Sequence, residues 1–164
     1  MDERSKIEFV VGNKKFYGQE IRKKGTINIE RFHKELIPWF HEHKYYFIEK
    51  DLTGKDTPEG RDEKFEWMAQ KKVDSYFRFN ISVHCVIMRW RDDQAQIVLR
   101  FKGYLEKDYK DQFKKRYGKF GEFLRRIYER YLIQDKVDKM SGRVYKETNN
   151  LIDKSKDILN LIAR

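Results

Sequence analysis

His33, His41 and His43, with Glu35 and Glu42 nearby, are the residues of this 164-residue chain whose types first suggest a metal site. Imidazole and carboxylate ligands hold a metal when their spacing brings them to one point. His33 and His41, eight apart, share a helical face, whereas His43 leaves it unless the helix has already ended. No cysteine pair and no His-x-x-x-His spacing accompanies them, so surface histidines are expected and neither metal nor cofactor. Cys85 is the sole cysteine, which rules out an intramolecular disulfide. Its neighbour His84 points to the opposite face of a strand, so the two cannot form a nucleophile–base pair. Asp92-Asp93 reads as a turn, and Gly54 to Gly60 lacks the Gly-x-x-x-x-Gly-Lys-Ser/Thr phosphate-loop pattern. No catalytic motif is present, and a binding protein is expected rather than an enzyme.

The spacing that does carry chemistry runs from Tyr76 to Leu105. Phe77, Phe79, Ile81, Val83, Cys85 and Ile87 occupy successive odd positions, and Arg78, Asn80, Ser82 and His84 the even ones. The same parity returns after Arg91-Asp92-Asp93, with Ala95, Ile97, Leu99, Phe101 and Leu105 against Gln94, Gln96, Arg100 and Lys102. Such alternation describes two strands with one buried and one open face. A three-residue turn keeps the faces matched and sets His84 opposite Arg100 or Lys102. The open face then gathers Arg78, His84, Arg100 and Lys102, with Tyr76 and Tyr104 toward one end. Interleaved cations and rings on a sheet neutralise phosphates and stack unpaired bases. Val86, Met88, Trp90 and Val98 extend the same face toward the turn as an apolar end, suited to protein contact.

A second concentration of charge lies between Lys107 and Arg130, where nine Lys/Arg face four acids. Lys114, Lys115, Arg116 and Lys119 form its densest run, of a kind that contacts phosphates or lies on an anionic membrane surface. With Lys14, Lys15, Arg22, Lys23 and Lys24 the chain has three basic patches, within a formal net charge of +10. Such a balance favours polyanionic partners. No segment approaches the ~20 apolar residues of a membrane span and no signal sequence opens the chain, so a cytoplasmic location is expected.

These residues are positioned by a set of elements that reads as one domain, 1–164. Lys6 to Val11 is a short strand, and Gly18 to Gly25 a basic connection. Asn28 caps a helix whose stripe is Phe32, Leu36, Trp39 and Phe40, with Pro38 expected to kink or end it. Tyr45 to Asp51 is the second strand, Thr53 to Asp62 a flexible loop, and Phe65 to Val73 the third strand. The long pair follows. Phe120, Phe123, Leu124, Ile127, Tyr131 and Leu132 then fall on one side of a helix ending near 133, and Val137 to Ile162 continue as a long final helix.

The expected fold class is α+β: an antiparallel sheet of about five strands, order β-α-β-β-β-β-α-α, with helices packed on one face. That order resembles the β-α-β4-α plan of TATA-binding-protein half-domains and of the related helix-grip (START-like) folds. The stretches Tyr-Phe-Arg-Phe at 76–79 and Tyr-Leu-Glu-Lys-Asp-Tyr at 104–109 also resemble small basic archaeal-type hypothetical proteins. The first resemblance implies nucleic acid on the open sheet; the START-like one implies an apolar ligand in a cavity between sheet and final helix. Three readings follow in order: RNA or ribonucleoprotein binding on the basic sheet, an apolar-ligand carrier lined by Phe79, Val83, Leu99 and Phe101, and a protein-interaction subunit or homodimer using the apolar end.

Overall fold

The computed structural model describes the backbone of residues 2–11, 14–58, 60–90 and 94–162 and, within these, the side chains of 18–50, 53–56, 58, 60–89 and 94–160. Six antiparallel strands form one sheet: β1 (Asp2–Val11), β2 (Lys14–Gly25), β3 (Tyr46–Thr57), β4 (Gly60–Lys72), β5 (Phe77–Trp90) and β6 (Ala95–Lys107). Their order is β1-β2-β6-β5-β4-β3. Helix α1 (Ile29–Glu42) carries the chain from β2 to the far edge of the sheet. After β6 come α2 (Gln112–Tyr117), a 3₁₀ turn (Gly118–Phe120), α3 (Gly121–Ile127), a π-helical turn (Tyr128–Leu132) and the long α4 (Gln134–Ile162). The α+β class, the antiparallel sheet and the parity of the long pair stand as the sequence indicates. The strand count and the helix after β6 are corrected below.

The parity of β5 and β6 assigns the two faces. Phe77, Phe79, Ile81, Val83, Cys85 and Ile87 are buried together with Ala95, Ile97, Leu99, Phe101 and Leu105. Met140, Val144, Leu151, Ile152, Ile158 and Leu159 of α4 and Phe32, Leu36, Trp39 and Phe40 of α1 join them in one cluster. Both helices therefore cover the same face, and the alternate residues of the sheet lie on the other.

At one point α4 approaches the sheet very closely. A Cβ added to Gly103 of β6 would stand 2.0 Å from the Thr148 hydroxyl oxygen. Thr148 itself is buried and donates to the carbonyl of Val144 one turn back. Glycine at 103 is thus a packing requirement. Polar seams tie the helices down around this contact. Tyr45 Oη donates to Glu147 at 2.6 Å, Lys71 Nζ donates to both oxygens of Glu147, and Trp39 Nε1 donates to Asn150 of α4 at 2.6 Å.

Four expectations need correction. The stretch read as a basic connection, Gly18 to Gly25, is part of β2, which pairs with β6 from Phe16↔Tyr104 to Gly25↔Ala95. Its alternation is hidden because two inward positions are polar. Gln19 is buried, and Lys23 reaches across to donate to the Leu159 carbonyl at 2.7 Å and to Asn160 at 3.0 Å. That places a cation on carbonyls near the C-terminal end of α4, the favourable end for positive charge. The flexible loop assigned to Thr53–Asp62 is instead the paired arms of β3 and β4, in register from Thr53↔Lys64 to Thr57↔Gly60. Gly54 there leaves room for the Arg61 guanidinium, 2.9 Å from where a Cβ would be. Of the kink or early end expected at Pro38, the early end does not occur, since the helix continues to Glu42. And the single helix expected to run to about 133 is the broken series α2, 3₁₀ turn, α3 and π turn. Gly118 (φ 56°) marks the first break, and Gly121 packs where a Cβ would meet the Phe113 carbonyl oxygen at 2.5 Å.

The end of α1 has its own closing device. His43 is the C-cap, Lys44 follows in the left-handed region (φ 60°), and Tyr45 N donates back to the Phe40 carbonyl at 2.8 Å. This six-to-one bond with its Tyr45–Phe40 ring contact is a Schellman motif, which ordinarily carries glycine at the position of Lys44.

Two stability outcomes follow, both read by urea unfolding. Gly103→Ala forces the sheet away from α4 and is expected to destabilise by about 1–3 kcal/mol, partly recovered in Gly103→Ala/Thr148→Ala. Lys44→Gly relieves the left-handed strain and is expected to stabilise by about 0.5–1 kcal/mol.

Candidate nucleic-acid interface on the open sheet face

The strand registers arrange the outer face in rows perpendicular to the strands. One row is Lys72, Arg78 and Glu106. The next is Tyr46, Gln70, Asn80 and Tyr104, and the next Ile48, Met68, Ser82, Lys102 and Gly18. Lys50, Glu66, His84, Arg100 and Glu20 form a fourth, and Lys64, Val86, Val98 and Arg22 a fifth. Of the two partners that turn length allowed for His84, Arg100 or Lys102, the observed register selects Arg100.

The arginines named from the sequence are already engaged. Arg100 Nε donates to Glu20 at 2.6 Å, and Arg22 reaches the other oxygen of the same carboxylate at 2.6 Å. Those bonds, Arg100's first, hold the Glu20 carboxyl below the usual carboxylate range. Arg78 pairs with Glu106 at 2.7 Å and lies over the Tyr109 ring. Five side chains of the outer rows are thus joined, three guanidinium groups fixed by two carboxylates.

Lys102 differs. It is exposed, stands between Gly18, which has no side chain, and the small Ser82, and has no ion-pair partner among the described residues. The two middle rows contain no acid. They form a strip crossing β3, β4, β5, β6 and β2, about 19 Å wide at ~4.8 Å per strand step. Along it lie a 70% exposed Tyr46, Ile48, Met68, Gln70, Ser82, Lys102 and the half-buried Tyr104, whose hydroxyl burial pushes up from the ordinary phenol range. The strip thus offers one unengaged cation, an exposed ring, and amide and hydroxyl groups. Tyr46 escapes sequence reasoning because it opens its strand and no alternating run flags it.

Tyr76 is a correction. It lies just before β5, is 9% exposed, and donates its hydroxyl to Glu129 at 2.6 Å while packing edge-on against Phe77 and Tyr128. It therefore cannot stack a base from the open face. Its role is to seat the helical segment after β6, together with Lys107, which also bonds Glu129, and Asp74, whose carboxylate accepts from the Tyr76 and Phe77 amides and from Lys136. Lys114, Lys115, Arg116 and Lys119 are exposed on that segment, off the sheet face.

The apolar end is corrected in part. Val98 is 6% exposed and is closed to a partner, while Val86 and Met88 are half-buried. The side chain of Trp90 lies outside the described residues. Phe79, Val83, Leu99 and Phe101, the lining required by a ligand carrier, are all in the core cluster. Neither of the two pockets described, one beside Ile27 and Arg89 and one along Arg31 and Lys34, is lined by them.

The histidines are separated by the fold. His33 lies edge-on to Phe65 and Trp67, and His43 stacks on Trp39 at 4.0 Å and contacts its carbonyl. Among the described residues no group of three or more His, Cys, Asp or Glu converges on a metal position. Burial pushes the Cys85 thiol up from its ordinary range, which leaves a poor nucleophile.

No protein-family model matches this chain, and no curated protein matches it.

His33 yields a pH prediction. Desolvation holds its imidazole below the ordinary value of 6.5, opposed by the more distant Glu49, and its Nε2 is buried without a partner. Above 6.5 both folded and unfolded forms are neutral. As pH falls below it, the unfolded chain takes up a proton that the folded chain resists, so stability is lost. His33→Phe is expected to remove that component of the unfolding midpoint between pH 7 and pH 5; an unchanged pH profile would contradict the assignment.

Proposed function

We propose that this chain is a non-catalytic binding protein that takes single-stranded RNA, or the exposed RNA of a ribonucleoprotein, on the open face of its sheet. The observation that carries the reading is the acid-free strip. The sheet face opposite the α1/α4 layer presents Lys102 for a phosphate and Tyr46 for a base, beside guanidinium groups held by Glu20 and Glu106. Sheet-borne rings and cations are the means by which single-strand RNA modules hold splayed bases.

The topology supports the resemblance noted from the sequence. The strand preceding α1 pairs with the last strand, and α4 lies across the inner face, with β1 added at the edge. In the TATA-binding plan the corresponding open sheet meets nucleic acid. That analogy supports the reading at the level of the fold.

The test is fluorescence anisotropy with a labelled single-stranded RNA across a salt series. Each phosphate contact contributes a slope of about 0.7 in log affinity against log salt, so Lys102→Glu should flatten the dependence by about that amount. Tyr46→Ala should weaken binding by the ~1–3 kcal/mol of a lost stacked base. Binding indifferent to salt and to both substitutions would refute the reading.

A further inference from the structure

The segment from Gln112 to Leu132 turns an apolar stripe toward solvent. Phe120 is 73% exposed, Phe123 63%, Tyr131 73% and Leu132 72%, with Ile127 between them. Residues three and four apart are neighbours on a helix surface, so Phe120, Phe123, Ile127 and Tyr131 form one stripe. The segment is held in this orientation by its opposite side. Gly121 is buried on the Phe113 backbone, and Phe113 and Tyr128 pack together against Tyr76. Glu129 is buried with its carboxylate bound by Tyr76 and Lys107, and Asp108 accepts from the amides of Gln112 and Phe113. The stripe therefore cannot turn inward without breaking a polar anchorage. So much exposed apolar surface in one short segment marks an interaction site.

The charges around the stripe select its occupant. Arg116, Lys119, Arg126 and Arg130 flank it at helical spacing, and Arg130 lies over the Tyr131 ring. Glu122 is the one exposed acid of the segment, since Glu129 is buried and paired. A second copy of this chain would bring the same cations face to face. RNA offers stacking to Phe120 and Phe123 but no apolar volume for Ile127 or Leu132. An anionic bilayer satisfies both features at once, with acyl chains for rings and aliphatic side chains and lipid headgroups for the flanking cations. We propose that this segment is a docking surface for an anionic lipid membrane. The helix α3 spans about 10 Å, and no described helix is long and apolar enough to cross a bilayer. The contact is therefore interfacial, with the rings inserted at headgroup depth.

The experiment is co-sedimentation of the full chain with vesicles of phosphatidylcholine containing about one-third phosphatidylserine, against pure phosphatidylcholine. Binding to the anionic vesicles is expected to exceed the neutral ones by at least about tenfold and to weaken near 1 M salt, where the Debye length is about 3 Å. Phe120→Ser/Phe123→Ser should reduce it at least about tenfold while leaving the melting temperature unchanged, because both rings are already exposed. Lys119→Glu/Arg126→Glu should act in the same direction without touching the rings. The proposal is overturned if anionic vesicles leave the chain in the supernatant, or if they bind the double serine variant equally well. It is equally overturned if that variant instead loses RNA affinity, or loses a concentration-dependent dimer seen by sedimentation velocity in the unsubstituted chain.

Discussion

The contact between Gly103 and Thr148 sets the terms for everything else in this protein. A helix laid that closely across the central strands must be met by small or apolar residues on the inner face, and by polar anchors where the seam reaches solvent. It commits the inner face wholly to packing. Because α1 joins α4 on that side through Trp39 and Asn150, both long helices are committed to the inner face. An open sheet is thus a consequence of how the core closes, and whatever the sheet face binds must come from outside the described structure.

Net charge alone says little about where a polyanion would sit. The chain is formally +10, yet on the sheet Glu20 and Glu106 engage three arginines. Such pairs on a partly exposed surface contribute at most about 1 kcal/mol each to stability. Their larger effect is geometric, since they fix planar donor groups, while Lys102 between its small neighbours is the one cation of the acid-free strip. The cations of the helical segment, by contrast, surround exposed hydrophobic side chains. The two surfaces therefore differ in chemistry, although both are basic.

Legibility of the sequence followed how purely each element obeyed one periodicity. β5 and β6 alternate over most of their length, and parity with turn length narrowed the partner of His84 to Arg100 or Lys102, of which Arg100 is observed. β2 could not be read in this way, because Gln19 and Lys23 occupy inward positions and serve the interior through polar contacts; Lys23 reaches carbonyls near the end of α4. The helical stripe from Phe120 to Tyr131 was visible as a stripe, but its direction was not. Periodicity states which residues share a side, whereas the buried carboxylate of Glu129 and its bond to Tyr76 decide which side is anchored. Tyr76 was misplaced for the related reason that parity was extended one residue beyond the start of β5, where Asp74 turns the chain.

The central claim is that the open sheet face, and not the helical segment, is where RNA is held. Ultraviolet cross-linking of the chain to a single-stranded RNA, with the adducts located by peptide mass spectrometry, addresses it directly. The account predicts adducts on Tyr46, Lys102 or Tyr104 and none on the peptide carrying Phe120 and Phe123. Adducts concentrated on that helical peptide, with the sheet strands unlabelled, would contradict it.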